Sequence, residues 1–90
     1  MSEPAMSMVF LALTPGGLSE ALLVAGGVHP VWCCATAISE SEFVAKRLTN
    51  LTRFAYSLVV SDAALMADAL GTIEEHHPGA RVWVEHAPAV

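Results

Sequence analysis

The sequence predicts an α/β domain of order βαβαβαβ with a mostly parallel four-stranded sheet. Short apolar runs alternate with helical segments along the 90 residues. A helix is expected in each connection between consecutive runs, so neighbouring strands should run parallel with right-handed crossovers. The alternative is a ferredoxin-like α+β domain that contains an antiparallel pair. We expect residues 1–7 to form a disordered lead and residues 8–90 to form a single domain.

The first strand and helix follow from a continuous apolar run and the turn after it. Residues 8–13 are apolar throughout, which is typical of a strand covered on both faces. The sequence Thr-Pro-Gly-Gly at 14–17 breaks this run. Residues 18–25 then place apolar side chains at helical spacing. Two glycines at 26–27 end this predicted helix, because glycine tolerates the left-handed cap conformation.

A second strand and a short helix are predicted next. Residues 28–37 are mostly apolar and form the second strand candidate. Ser39 and Glu42 have the spacing of a capping box, in which the Ser39 hydroxyl accepts the backbone N–H of Glu42. The helix is expected to run from Glu40 to Leu48.

The third strand is predicted over Thr52–Val60, because its apolar side chains alternate with polar or small ones. Ser61 and Asp62 are suited to cap the helix that follows. This helix is the clearest prediction in the chain, since its apolar residues form one stripe. The stripe contains Ala63, Leu65, Met66, Ala69, Leu70 and Ile73. After Pro78-Gly79, residues 81–85 alternate as expected of a last strand at an edge.

Composition favours association. Hydrophobic residues make up 54% of the chain and charged residues 14%, against typical values of about 45–50% and about 25%. A domain this small has too few charges to cover its surface, so apolar surface stays exposed or is covered by another subunit. The leading interpretation is therefore a small non-catalytic interaction or regulatory protein that acts as a homo-oligomer or a bound subunit.

Charge and hydropathy argue against several other classes. The net charge of −5 disfavours nucleic-acid binding, which requires a basic excess. No apolar run approaches the roughly 20 residues of a membrane span. The first four residues contain no basic region, so we expect no secretory signal. Two adjacent cysteines do not form a disulfide framework, which favours a cytoplasmic location.

The alternative function is a small-molecule or anion-binding domain, with an enzyme as one form of it. Its site is expected at the carboxyl ends of the strands, where open parallel sheets bind ligands. The glycines after the first strand let backbone N–H groups approach an anion at a helix start. The sequence contains no specific catalytic motif, however, and we name no catalytic residue. The candidate ligand-binding residues are Thr14, Gly16, Gly17, Ser39, Ser61 and Asp62.

A basic cluster provides a candidate partner-binding surface. Lys46, Arg47 and Arg53 are three of the four Lys and Arg residues. No acidic residue lies between Phe43 and Ser61, so the cluster could orient a charged partner or self-association.

No cofactor or metal is expected. Cys33 and Cys34 lie within the second predicted strand, where buried thiols act as small apolar side chains. The adjacent His76 and His77 would point about 100° apart on a helix, which makes a poor ligand pair even if His86 lies nearby. A position at a helix C-terminus, where positive charge is favoured, explains these two histidines better.

Overall fold

A computed structural model of the chain describes residues 8–85. It contains four strands and three helices in strict alternation, which confirms the predicted α/β class. The elements are β1 (Met8–Ala12), α1 (Pro15–Ala25), β2 (Val31–Cys33), α2 (Glu40–Lys46), β3 (Leu51–Arg53), α3 (Ala63–His76) and β4 (Arg81–Val84). The predicted disordered lead at residues 1–7 lies outside the described residues.

All strand pairs in the described sheet are parallel. The strand order is β3-β2-β1-β4, so β1 pairs with both β2 and β4. The ferredoxin-like alternative is therefore wrong, because it requires an antiparallel pair. Residues 81–84 form an edge strand of this sheet, as the alternating pattern predicted.

The helices cover the sheet on two faces. The crossovers from β1 to β2 and from β2 to β3 run in one direction, so right-handed connections place α1 and α2 on one face. The crossover from β3 to β4 runs back and places α3 on the opposite face. The ring of Trp32 on β2 packs against His76 and His77 at the end of α3. Trp32 Nε1 also donates to Nε2 of His77 at 3.2 Å.

The core lies between these layers, and its most buried large side chains come from the strands, the segment after β3 and α3. They are Val9, Leu11, Val31, Leu58 and Ile73. On α3, the predicted apolar stripe faces inward from Leu65 to Ile73, whereas Ala63 in the first turn is exposed. Periodicity therefore identified the buried face of this helix correctly except at its start.

The third predicted strand is too long. β3 ends at Arg53, although Thr52–Val60 was predicted as strand. The backbone beyond β3 stays close to β2, where Ala35 N–H donates to the Tyr56 carbonyl at 3.0 Å. Phe54 and Leu58 are buried, whereas Ala55, Ser57 and Val59 are exposed. The alternation therefore reports burial of an irregular segment, not a continuous strand.

The second strand and helix are also shorter than predicted. β2 covers three residues of the predicted 28–37, because a turn follows in which Ala37 N–H donates to the Cys34 carbonyl at 3.0 Å. α2 ends at Lys46 and not at Leu48, since Arg47 adopts the left-handed conformation with φ 52°.

Both cysteines are fully buried, as the structural interpretation predicted. Cys33 is the last residue of β2, and Cys34 follows the strand. Burial raises the pKa of the Cys33 thiol to about 11; the neighbouring Cys34 adds to the rise and Arg53 opposes it. Because the thiolate is the reactive form, this environment keeps Cys33 unreactive at neutral pH.

Candidate functional site

The candidate site lies where the strand order of the sheet reverses. From β1 the chain proceeds to β2 and β3 on one side, and it then returns to place β4 on the other side of β1. In open parallel sheets, the crevice outside the carboxyl ends of the strands at such a reversal is the usual ligand position. Here that position lies at the carboxyl ends of the paired strands β1 and β4.

A cleft of about 540 Å³ opens at this position. β1 and β4 form its floor and α1 forms one wall. Among residues 8–85, α1 packs mainly on β1 and β2 and covers β4 less. Trp83 is 51% exposed and Val24 66% exposed. The apolar residues that line this α1–β4 cleft are Phe10, Leu11, Ala12, Ala21, Val24, Trp83 and Val84.

The Glu85 carboxylate occupies the end of the cleft, at the start of α1. Its Oε1 accepts the backbone N–H groups of Leu13 and Thr14 at 2.6 and 2.9 Å. Its Oε2 accepts the Thr14 hydroxyl. A carboxylate is stabilised at the N-terminus of a helix, where N–H groups and the helix dipole favour negative charge. The predicted anion position therefore holds a carboxylate of the chain itself.

Thr14 and Gly17 shape this position. The Thr14 hydroxyl accepts Gly17 N–H at 3.1 Å and so caps α1. A Cβ atom at position 17 would overlap the Glu85 carboxylate, whereas one at Gly16 would meet nothing within 4 Å. Glycine is therefore required at position 17 because another side chain approaches it closely. Gly16 has no such requirement.

The peptide group of Leu13 joins three loops. Its N–H donates to Glu85 after β4, as described above. Its carbonyl accepts the Thr36 hydroxyl at 3.1 Å and the Cys34 thiol at 3.5 Å, both from the turn after β2. The carboxyl ends of β1, β2 and β4 are thus held together by hydrogen bonds to one residue.

The hydrogen bonds at the site determine the charge state of Glu85. Its partial burial raises the pKa of the carboxyl group, but the bonds from the Thr14 hydroxyl and from the Leu13 and Thr14 amides lower it, and the net pKa is below its ordinary value. The side chain is therefore ionised at neutral pH.

The remaining ligand-binding candidates cap the other helices. The Ser39 hydroxyl accepts Glu42 N–H and donates to the Glu42 carboxylate, both at 3.2 Å. This confirms Ser39 as the N-cap of α2, whereas the Glu42 carboxylate reaches back to the Ser39 hydroxyl and not to the Ser39 backbone N–H that a capping box uses. The Asp62 carboxylate accepts Leu65 N–H at 3.1 Å, and Ser61 is exposed beside it. Parallel strands place these loops at the same edge of the sheet as Thr14. The α1–β4 cleft is lined by Gly16 and Gly17 but not by Ser39, Ser61 or Asp62.

The basic candidates lie toward the other side of the sheet. Lys46 and Arg47 are exposed at the end of α2. Arg53 ends β3, the edge strand farthest from β4, and its Nε donates to the Ile38 carbonyl at 2.8 Å. Arg53 thus holds a loop, and only Lys46 and Arg47 project freely enough to meet a partner.

The histidines make structural contacts. His76 Nδ1 lies 2.9 Å from the Thr72 carbonyl, and His77 contacts Trp32 as described above. His86 lies outside the described residues. Within residues 8–85, no group of three or more His, Cys, Asp or Glu side chains is arranged to hold a metal ion.

Comparisons with known proteins do not assign this chain to a family. No family model, curated protein or solved structure matches this chain. Between residues 8 and 85, no helix is both long enough and apolar enough to cross a membrane.

The sequence predictions missed the position of Glu85. It was recognised as the end of the last strand, but not as the group at the start of α1. The available signal is an acidic residue at the carboxyl end of one strand and a glycine-containing helix start after another. These two positions meet only if β4 lies beside β1, and the sequence does not give the strand order.

Replacing Glu85 with Gln tests the role of the charge. The variant keeps the side-chain shape, but we expect the free energy of unfolding to fall by about 1–2 kcal/mol at pH 7, because hydrogen bonds to a charged acceptor are stronger. Since the folded pKa lies below the ordinary value of 4.5, the stabilisation is present above pH 4.5 and disappears as pH falls through the folded pKa. Urea denaturation at a series of pH values measures this difference.

Glu20→Gln is the matched control, because Glu20 lines the same cleft on the exposed surface of α1. We expect little change in stability from it. An equal loss in both variants, or a Glu85→Gln effect that persists unchanged at pH 2, would contradict the charged role of Glu85.

Gly17→Ala tests the close approach of the carboxylate. In the wild-type chain we expect a loss of roughly 1–3 kcal/mol, typical of an inserted methyl group without space. In a Glu85→Ala background the space is free, and alanine should then stabilise α1 by up to about 1 kcal/mol. Gly16→Ala serves as the control and should not reverse sign between backgrounds. The same effect of Gly17→Ala in both backgrounds would show that Glu85 does not determine it.

Proposed function

We propose that this protein is a small non-catalytic interaction or regulatory protein, which associates with a second copy or a protein partner through the apolar surface around the α1–β4 cleft. The observation that carries this proposal is the exposure of large apolar side chains there. Val24 and Trp83 line the cleft and are 66% and 51% exposed, and Val84, whose side chain alternates to the other face of β4, is 38% exposed beside them. Contiguous exposed apolar surface of this kind marks interaction sites.

The energy available from this surface is substantial. An aromatic side chain such as Trp buries about 150–250 Å² when fully covered, and each Å² of apolar surface removed from water contributes about 25 cal/mol. Covering the exposed half of Trp83 alone therefore contributes roughly 2–3 kcal/mol. Trp is also among the residues that most often dominate binding energy at interfaces.

The polar groups around the cleft support a binding role more than a catalytic one. The Thr14 hydroxyl and Glu85 carboxylate already bond to each other and to α1 or β1. A general base must reach a substrate proton and must itself have a pKa near the working pH. The pKa of Glu85 is instead lowered, further from neutrality. Association through the apolar side chains requires neither the Thr14 hydroxyl nor the Glu85 carboxylate to leave these hydrogen bonds.

Self-association is tested by the mass of the protein in solution. We expect sedimentation velocity to show a mass above that of the monomer as concentration rises to high micromolar. Val24→Gln should shift this equilibrium toward monomer, because it places a polar group on the cleft. Val44→Gln on α2 is the matched control, since Val44 is a helical valine of similar exposure, 62%. A monomer at all concentrations that also recovers no partner would overturn the proposal, as would equal effects of both variants.

A second candidate function is the binding of a small molecule in the same cleft, which the reversal of strand order between β1 and β4 favours. Glu20 and Glu85 both line the cleft, so it suits a neutral or cationic molecule with an apolar part. An anion would have to displace the Glu85 carboxylate from the start of α1.

This candidate is tested by thermal shift with amines, nucleotides, phosphates and carboxylates. A cleft ligand should raise the melting temperature of the wild type and of Val59→Ala, which alters an exposed valine elsewhere, but not of Trp83→Ala. Anions should act more strongly on Glu85→Gln than on the wild type. If no compound raises the melting temperature, this second function is excluded for the classes tested.

A further inference from the structure

Among residues 8–85, no strand pairs with the outer edge of β4, and a free edge is the first requirement for strand addition. The Glu85 N–H donates to the Leu11 carbonyl of β1 at 2.9 Å. Because successive residues of a strand direct their backbone groups to opposite sides, Arg81 and Trp83 also direct theirs toward β1. Val82 and Val84 therefore direct their N–H and C=O groups outward. No strand of the described sheet lies on that side.

The side chains along this edge are self-complementary. Residues 81–85 read Arg-Val-Trp-Val-Glu, with a positive charge at one end, a negative charge at the other and Trp83 at the centre. If two copies align antiparallel with their Trp83 residues opposite, Arg81 of each copy faces Glu85 of the other. Opposite charges directly across an antiparallel pair are stabilising, and so are paired aromatic rings.

The backbone pattern fits the same register. With the two Trp83 residues opposite, Val82 of each copy faces Val84 of the other. These are the residues whose backbone groups point outward, so each such pair exchanges two hydrogen bonds. The Trp83 pair is then a non-hydrogen-bonded pair, in which opposing side chains approach most closely. Charge, side chains and backbone therefore all select one alignment.

We propose that a second copy of this chain pairs antiparallel with the outer edge of β4, about a two-fold axis at Trp83, to form a continuous eight-stranded sheet. This inference rests on the proposed function and names its partner. Arg81, Trp83 and Glu85 lie on one face of β4, where Trp83 and Glu85 line the α1–β4 cleft. The partner's Trp83 would therefore lie beside the open side of each cleft and complete it.

Glu85 can contribute to both interactions. Its Oε1 accepts two hydrogen bonds, whereas Oε2 accepts only the Thr14 hydroxyl among the described residues. A carboxylate oxygen has about two acceptor positions. One position on Oε2 therefore remains for the guanidinium of the partner's Arg81, which is exposed.

The other edge of the sheet is less suited to strand addition. β3 has three residues, and the chain leaves regular strand geometry after Arg53. The Arg53 side chain is held by the Ile38 carbonyl. Very short edge strands are one means by which proteins prevent pairing with other chains.

Disulfide trapping tests the register. The full chain carrying Trp83→Cys is oxidised with oxidised glutathione, and the fraction of covalent dimer is measured on non-reducing gels. We expect efficient dimer formation, because the two new thiols face each other at the axis. The wild type should give none, since Cys33 and Cys34 are buried. Val84→Cys should give little, because in this register Val84 faces Val82 of the partner. Val44→Cys on α2 controls for random collision.

Charge reversal tests the ion pairs without altering the apolar surface. Arg81→Glu places like charges opposite at two symmetric positions, and we expect roughly tenfold weaker self-association by sedimentation. Thermal unfolding, measured at a concentration at which both proteins are monomeric, should remain close to that of the wild type, since Arg81 is exposed. Lys46→Glu makes the same change in the basic cluster and tests that surface as the interface.

These experiments separate this inference from the function on which it rests. A dimer that is trapped through Trp83→Cys and weakened by Arg81→Glu supports pairing along β4. A stable dimer that resists Arg81→Glu and is trapped no better through Trp83→Cys than through Val44→Cys overturns the pairing and leaves self-association intact. A dimer weakened only by Lys46→Glu also overturns it, in favour of the basic cluster. A protein that stays monomeric at high micromolar concentration overturns both pairing and self-association.

Discussion

The carboxylate of Glu85 holds together the part of the sheet where the strand order reverses. β4 is joined to β1 by parallel pairing over four residues, and Glu85 extends this contact to the backbone of Leu13 and Thr14. Because Leu13 also accepts bonds from the turn after β2, the same small group of bonds positions three strand ends. The start of α1 and the end of the cleft depend on this arrangement.

This constraint explains why a glycine-rich turn here does not imply a bound anion. A helix start with exposed N–H groups favours negative charge from any source. A phosphate from solution and a carboxylate from a neighbouring strand satisfy the same groups. In this chain the neighbouring strand ends in an acidic residue, and Gly17 provides the space for it. The residue pattern that predicted an anion position could therefore not identify which group would occupy it.

Much of the fold was predictable because it depends on local chemistry. The apolar run of β1, the capping residues Ser39 and Asp62, and the stripe of α3 each determine structure within a few residues of themselves. The predictions are wrong where tertiary contacts determine the backbone conformation. Phe54 and Leu58 alternate like strand residues, yet the backbone between them follows β2 irregularly. The strand order is a non-local property, and without it neither the cleft nor the position of Glu85 follows from the sequence.

The shortage of charge gives the most direct connection from composition to the proposed function. With 14% charged residues, the chain cannot cover every edge and helix with polar side chains. Some of the apolar side chains that remain exposed lie near the position where the strand order reverses, namely Val24, Trp83 and Val84. Natural edge strands are commonly protected by charged side chains or by bulges. Residues 81–85 carry their charges at the two ends, as Arg81 and Glu85, and their largest apolar side chain, Trp83, in the middle. In the pairing proposed for β4, charges in this arrangement favour one alignment.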